Sequence, residues 1–166
     1  MLKVAYSAAD LSFEQLCRVY EQSCREDGRL KYPGYSSNEQ VLAAEQELYE
    51  QVRCFFREKN VFYGIWVVND CYVSALRIEP YRDGFLLTGL ETAPEARRKG
   101  YASTLIANVL SEIAKRGSAR VYSHVERRNT ASIAVHKSCG FEKCLDYAVY
   151  LDGSVSADAY TLAITV

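Results

Sequence analysis

Arg97-Arg98-Lys99-Gly100-Tyr101-Ala102 sets three cations and a glycine between an apolar, strand-like run and a long helical pattern. A strand that feeds a helix through glycine leaves several backbone N–H groups at the helix start without internal acceptors. Those donors and the positive end of the helix dipole suit an anion, and phosphate is the usual guest. Gly100 lets a ligand approach the backbone, Ala102 is too small to obstruct it, and the three side chains concentrate positive charge there. The stretch is too short for a P-loop and lacks the Gly-x-Gly-x-x-Gly of a dinucleotide site. A basic turn that only solvates a loop is the alternative reading of the same residues.

The elements that must hold this loop are clear on either side. Phe85 to Thr92 is apolar and β-tolerant, and Ala93-Pro94 ends it. Apolar pairs then recur at Tyr101/Ala102, Leu105/Ile106, Val109/Leu110 and Ile113/Ala114, the repeat of a helix with one buried face. Lys115, Arg116 and Gly117 supply its stop.

Pro94 to Ala102 resembles the Arg/Gln-x-x-Gly-x-Gly/Ala loop of the GNAT superfamily of N-acetyltransferases, which holds the pyrophosphate of acetyl-CoA. After one more strand, Asn129-Thr130-Ala131-Ser132-Ile133-Ala134-Val135-His136-Lys137-Ser138-Cys139-Gly140-Phe141 resembles that family's second motif, an Asn opening a helix that a Gly-Phe closes. Together the two motifs cover roughly residues 84–141. The resemblance implies that acetyl-CoA lies along Leu90, Glu91 and Thr92 of the central strand, its pantetheine amides pairing with free backbone groups. It further implies Arg97, Arg98, Lys99, Gly100, Tyr101, Ala102 and Ser103 around the pyrophosphate, with Asn129, Ser132 and His136 along the arm. The family's usual tyrosine near the thiol is replaced by His136, a competent general acid; a helix-face histidine satisfied by a neighbour is the other reading.

Acetylation needs a neutral amine, so a base must take the ammonium proton. His124 is one candidate, at a place where some relatives that acetylate protein N-termini carry glutamate. Glu91 in the central strand is the other, with Glu126 and Glu79 weaker. Tyr32 and Tyr35, in an expected loop from Gly28 to Ser36 that the family folds over the acceptor, offer aromatic faces to a cationic amine. As a mere surface loop they would do no more than cover helix ends.

The remaining chain fits these parts. Leu2 to Tyr6 reads as a strand. Ser12 caps a helix reaching about Arg25, and Ser37 or Asn38 caps a second running to about Phe56 with Val41, Leu42, Leu48, Val52 and Phe55 inward. Glu39, Glu45, Glu47 and Glu50 would form its exposed acidic face. Val61–Val68 and Cys71–Ile78 form a tight hairpin across Asn69-Asp70. Later strands are expected at Arg120–Val125, Glu142–Leu151 and Ala159–Val166. The order βααβββαβαββ is the one the GNAT fold uses, and the resemblance implies that α/β (α+β) fold, a mixed, mostly antiparallel sheet of about seven strands with four helices, as one domain over residues 1–166.

Composition sets the outer bounds. With 166 residues, 49% hydrophobic and 25% charged, the chain can build a real core. Residues 1–95 carry 10 Lys/Arg against 15 Asp/Glu, net −5, whereas residues 96–166 carry 10 against 6, net +4. The basic part coincides with the phosphate loop, and the acidic part suits an amine acceptor. The six cysteines show neither Cys-x-x-Cys nor zinc spacing, so no metal is expected, and they read as reduced, mostly buried thiols of a cytoplasmic protein; only Cys139, near His136, offers a remote nucleophile. No basic stripe with interleaved aromatics points to nucleic acid, and no apolar run points to a membrane. A homodimer is compatible with all of this. The expected activity is acetyl transfer from acetyl-CoA to a primary amine of a small molecule or peptide. The alternative is a catalytically silent acyl-CoA-binding sensor or partner-binding subunit.

Overall fold

The computed structural model describes all residues 1–166. The strands are β1 Leu2–Ala5, β2 Phe62–Val68, β3 Cys71–Tyr81, β4 Gly84–Thr92, β5 Arg120–Glu126, β6 Glu142–Leu145, β7 Ala148–Val149, β8 Val155–Ser156 and β9 Ala159–Thr165. The helices are α1 Phe13–Val19, α2 Glu21–Lys31, α3 Ser37–Phe55, α4 Tyr101–Ala114 and α5 Thr130–Ser138. Seven strands make one sheet in the order β1-β2-β3-β4-β5-β9-β6, and β7 with β8 forms a separate small hairpin. All neighbours in the sheet are antiparallel except β4 and β5.

Helices cover both faces, so the alternating residues of the central strands feed two cores. On one side Tyr63, Ile65 and Ala75 pack with Leu16, Val19, Ala44 and Val52 of α1 and α3. On the other, Leu76, Ile78 and Leu87 pack with Leu105, Ile106, Val109 and Ile113, the face that the periodicity of α4 predicts. No helix is long and apolar enough to cross a membrane.

Several elements differ from the sequence expectation. The first helix is two, kinked at Tyr20, so there are five helices where four were expected. Gly28 does not open a loop: α2 continues through it to Lys31, because a side chain there would sit 2.4 Å from the Gln40 carbonyl oxygen of α3. Gly28 is where those helices press together, and the loop shrinks to residues 32–36. Ser36, neither Ser37 nor Asn38, caps α3, in a reciprocal pair with Glu39. Leu42, expected inward, is 65% exposed, and half of the cysteines (Cys54, Cys71, Cys144) are exposed instead of buried. The expected strand 142–151 is split between the main sheet and the small hairpin. The Asn69-Asp70 hairpin is as read, both residues having positive φ, which a two-residue turn of this hand demands.

Two irregularities shape the centre of the sheet. β4 pairs with β5 only from Gly84↔Arg120 to Leu87↔Ser123; beyond that the two parallel strands part, leaving Leu90–Thr92 open on the β5 side. Against β3, the register slips between Ala75↔Glu91 and Arg77↔Thr88, so β4 carries an extra residue, a bulge. Gly89 takes that position at φ +59°.

Candidate active site

A cleft of about 460 Å³ opens where β4 and β5 part. Leu90, Glu91 and Thr92 form one wall, Arg97 to Ser103 without Lys99 the end, and Asn129, Ser132 and Val135 of α5 the other wall. Two sequence motifs, Arg97 to Ala102 and the one opening at Asn129, therefore meet on one cavity. Its end is built for an anion. α4 begins at Tyr101 with no side-chain cap, so its first N–H groups lack internal acceptors at the cleft margin. Arg98 and Gly100 both have positive φ, +63° and +79°, which winds the loop into a concave backbone of the anion-binding kind. A Cβ on Gly100 would meet nothing within 4 Å, so it is this left-handed turn, more than space, that calls for glycine.

The cations of the loop divide their work. Arg97 donates through Nε to the Thr92 carbonyl at 3.1 Å and through its fork to Gln22 of α2, and it lies 3.9 Å from Glu91. It braces β4 against α2. Lys99 turns back to the Glu95 carbonyl, 3.0 Å, and does not line the cleft, contrary to expectation. Asn129 caps α5 by accepting from the Ser132 N–H at 3.0 Å.

Glu91 is the titratable group nearest the join of these parts. Its Oε1 accepts from Ser23 Oγ at 2.5 Å. Burial pushes its carboxyl above the ordinary range; Ser23 and Arg97 pull the other way, while Glu26 and Asp27 add to the rise. Glu91 also borders a second pocket of about 200 Å³ beneath α2 and α3, with Tyr20, Ser23, Asp27, Glu47, Tyr63, Arg77 and Gly89. The phenol of Tyr20, a buried side chain, donates to the Gly89 carbonyl at 2.6 Å and pins the bulge.

His124 lines a third cavity, about 610 Å³, with Glu79, Thr88, Gly89, Glu126, Tyr150 and Asp152. It faces the same side of the sheet as Arg77 and meets the second pocket at Gly89. Its ring stands edge-on between Tyr81 and Tyr150, both nitrogens buried without partners. Burial, then Arg82, holds its pKa below 6.5, so the imidazole is neutral near pH 7 and able to accept a proton.

His136 corrects the general-acid expectation. It is 1% exposed, packs edge-on against Phe141 and does not line the cleft. Its Nδ1 lies 2.8 Å from the Ser132 carbonyl, which can only accept, so the proton sits on Nδ1 and Nε2 is a buried lone pair. Burial also lowers its pKa. A neutral ring of that tautomer has no proton to offer a thiolate. Tyr32 and Tyr35 are also displaced from their expected role: they stack on each other, 5.4 Å between centroids, and line neither pocket. Tyr32 reaches the acceptor side only through Glu47, to which its hydroxyl donates at 2.5 Å. Sequence reasoning missed Tyr20, Ser23 and Arg77; a glycine inside a strand pattern at position 89 was the one signal that something approaches there.

A strand-edge cleft closed by an uncapped helix start suits an extended ligand with an anion at one end. The acetyltransferase (GNAT) family model matches residues 16–141. The chain belongs to the GNAT family. It is 29% identical over 87 residues to the ribosomal protein bS18-alanine N-acetyltransferase of Escherichia coli, a match covering 51% of this chain and 59% of that relative's length. The solved structure of the ribosomal-protein-S18-alanine N-acetyltransferase from Escherichia coli shares the fold with a TM-score of 0.64 at 18% identity, over 100% of this chain and 94% of that one. So does the PaiA N-acetyltransferase from Thermoplasma acidophilum in complex with coenzyme A, at 0.63 and 16%, over 100% and 99%.

Proposed function

We propose that this protein moves the acetyl group of acetyl-CoA directly to a primary amine of a small molecule or peptide, with Glu91 as general base. One observation carries the reading: Glu91 borders both the cofactor cleft and the pocket beneath α2 and α3. An amine in that pocket and a thioester in the cleft come together at this carboxylate. The relative that acetylates a ribosomal-protein alanine supports an α-amine as acceptor.

An amine of pKa ~10.4 is neutral in only about four molecules in ten thousand at pH 7. In its carboxylate form Glu91, held by Ser23, accepts the surplus proton as the nitrogen lone pair forms the new C–N bond and the C–S bond breaks. The departing sulfur needs no acid from the protein, since a thiol pKa of about 8.5 makes the thiolate an adequate leaving group. His124 is a second base candidate, favoured by its two unpartnered nitrogens facing a cavity that meets Gly89.

The test is thiol release from acetyl-CoA over a panel of amines, with product mass. Amine-dependent release and an acetylated product are expected. Acetyl-CoA binding without release above hydrolysis for any amine would leave a silent binding domain instead.

A further inference from the structure

The pocket beneath α2 and α3 contains one charge without a counter-ion, and it is positive. Its carboxylates have partners: Glu47 accepts from Lys31 and Tyr32 at 2.5 Å each, Asp27 lies 3.8 Å from Lys31, and Glu91 has Ser23 and, at 3.9 Å, Arg97. Arg77, the one cation lining the pocket, is in no ion pair, and its Nε is buried without any hydrogen-bond partner. The Phe55 ring lies 5.9 Å from the guanidinium carbon, and the guanidinium donates to the Tyr63 phenol oxygen, which leaves Nε as the unpartnered donor. The residue is half-buried, and a buried N–H of a charged group is costly to leave without an acceptor.

Its position makes it part of the acceptor side. A Cβ on Gly89 would lie 2.9 Å from Arg77 Nε and 3.1 Å from Nη2, so the guanidinium reaches the bulge only because that residue is glycine. Arg77 pairs with Thr88 and Glu91 with Ala75, which makes Arg77 and Glu91 staggered neighbours on adjacent strands. Residues so placed sit roughly 7–8 Å apart between Cα atoms, room for a few heavy atoms between their heads. At about 200 Å³ the pocket is smaller than the ~300–1,000 Å³ that drug-sized ligands occupy.

We propose that the acceptor is a small amino acid bearing both a primary amine and a carboxylate, with Arg77 holding the carboxylate while the amine faces Glu91. A planar guanidinium binds a carboxylate through two parallel N–H donors, which fixes the direction of the amine as well as the affinity. This rests on the reading of Glu91 as the meeting point of acceptor and thioester.

The experiment compares alanine, β-alanine and γ-aminobutyrate with ethylamine and propylamine at saturating acetyl-CoA, in the native protein, Arg77→Met and Arg77→Lys. At least one carboxylate-bearing amine is expected to exceed the simple amines in kcat/KM by roughly 10²-fold, because a site built around a charged hydrogen bond rejects the analogue lacking it. Arg77→Met should collapse that ratio and Arg77→Lys restore part of it. Equal kcat/KM for both sets in the native protein, or an equal fall for both in Arg77→Met, overturns the proposal; the second result would make Arg77 an aid to the reaction or the fold. Calorimetric binding of the same amines to the acetyl-CoA complex provides a readout that needs no turnover. If no amine is acetylated yet the amino acids bind and Arg77→Met abolishes it, the catalytic reading fails and the carboxylate site stands. If neither set binds, the carboxylate site fails too.

Discussion

Glu91→Gln separates proton transfer from architecture. Glutamine keeps a carbonyl oxygen for the Ser23 hydroxyl, so the link to α2 survives while the base is lost. General bases contribute about 10²–10⁴ in rate, or roughly 2.7–5.4 kcal/mol of barrier. The open cleft admits water as a poor substitute, which places the expected loss in kcat/KM near the lower end, about 10². Stability should move the other way. Burial raises the carboxyl pKa above its ordinary 4.5, with Glu26 and Asp27 adding to the rise. A carboxyl raised in the folded state contributes stability below its unfolded pKa, and that contribution is lost as pH climbs through the folded value. Above the unfolded value the native carboxyl therefore carries a cost that the neutral amide lacks, so the variant should melt no lower than the native protein, and higher by a margin that vanishes near pH 4. Steady-state kinetics from pH 5 to 9, with melting curves over the range 4–8, reads both. Burial lowers the pKa of His124 and raises that of Glu91, which shifts the two toward each other, so the pH profile is not used to separate them. The variants separate them: a fall of under tenfold in Glu91→Gln beside a hundredfold fall in His124→Gln would transfer the base to His124 and refute the reasoning.

Gly100→Glu should abolish acetyl-CoA binding in calorimetry while the protein stays folded, since the position is open but left-handed and the new charge repels phosphate; unchanged affinity would refute the loop assignment. Asn129→Ala should lower stability by about 0.5–2 kcal/mol through loss of the α5 cap, read as a fall of a few degrees in Tm. His136→Phe keeps the contact with Phe141 and loses the bond to Ser132, so it should cost about 1 kcal/mol of stability and less than tenfold in kcat. A loss of 10² or more in kcat with acetyl-CoA affinity intact would return the imidazole to the reaction.

What was legible in the sequence is what is local. Arg97 to Ala102 and Asn129 to Phe141 each carry their chemistry within a few residues, so their loop and helix starts follow from short-range rules, whereas their meeting on one cleft was implied by the family resemblance. The pocket beneath α2 and α3 is assembled from partners far apart in the chain, Tyr20 with Gly89 and Ser23 with Glu91, at separations of 69 and 68 residues, which no local pattern encodes. Gly28 shows how a local rule misleads: glycine after aspartate reads as a turn, yet here it makes room for a neighbouring helix. His136 shows the limit of helical periodicity, which puts it on one face with Ser132 without telling the cleft wall from the packed side next to it.

The parting of β4 from β5 has a consequence for handling the protein. A sheet opened at its centre exposes a row of unspent backbone donors and acceptors along Leu90–Thr92, the same kind of edge that at a sheet's margin recruits other chains. Whatever occupies that slot acts on folding by mass action: at a hundred times its Kd it adds about 2.7 kcal/mol. For a domain of this length that is a rise of roughly 5–11 °C in melting temperature. The protein without coenzyme should therefore be both the softer and the stickier form, and adding coenzyme A during concentration should raise Tm and suppress association together. A rise in Tm with association unchanged would mean that the opened strands are not the surface through which copies of this chain meet.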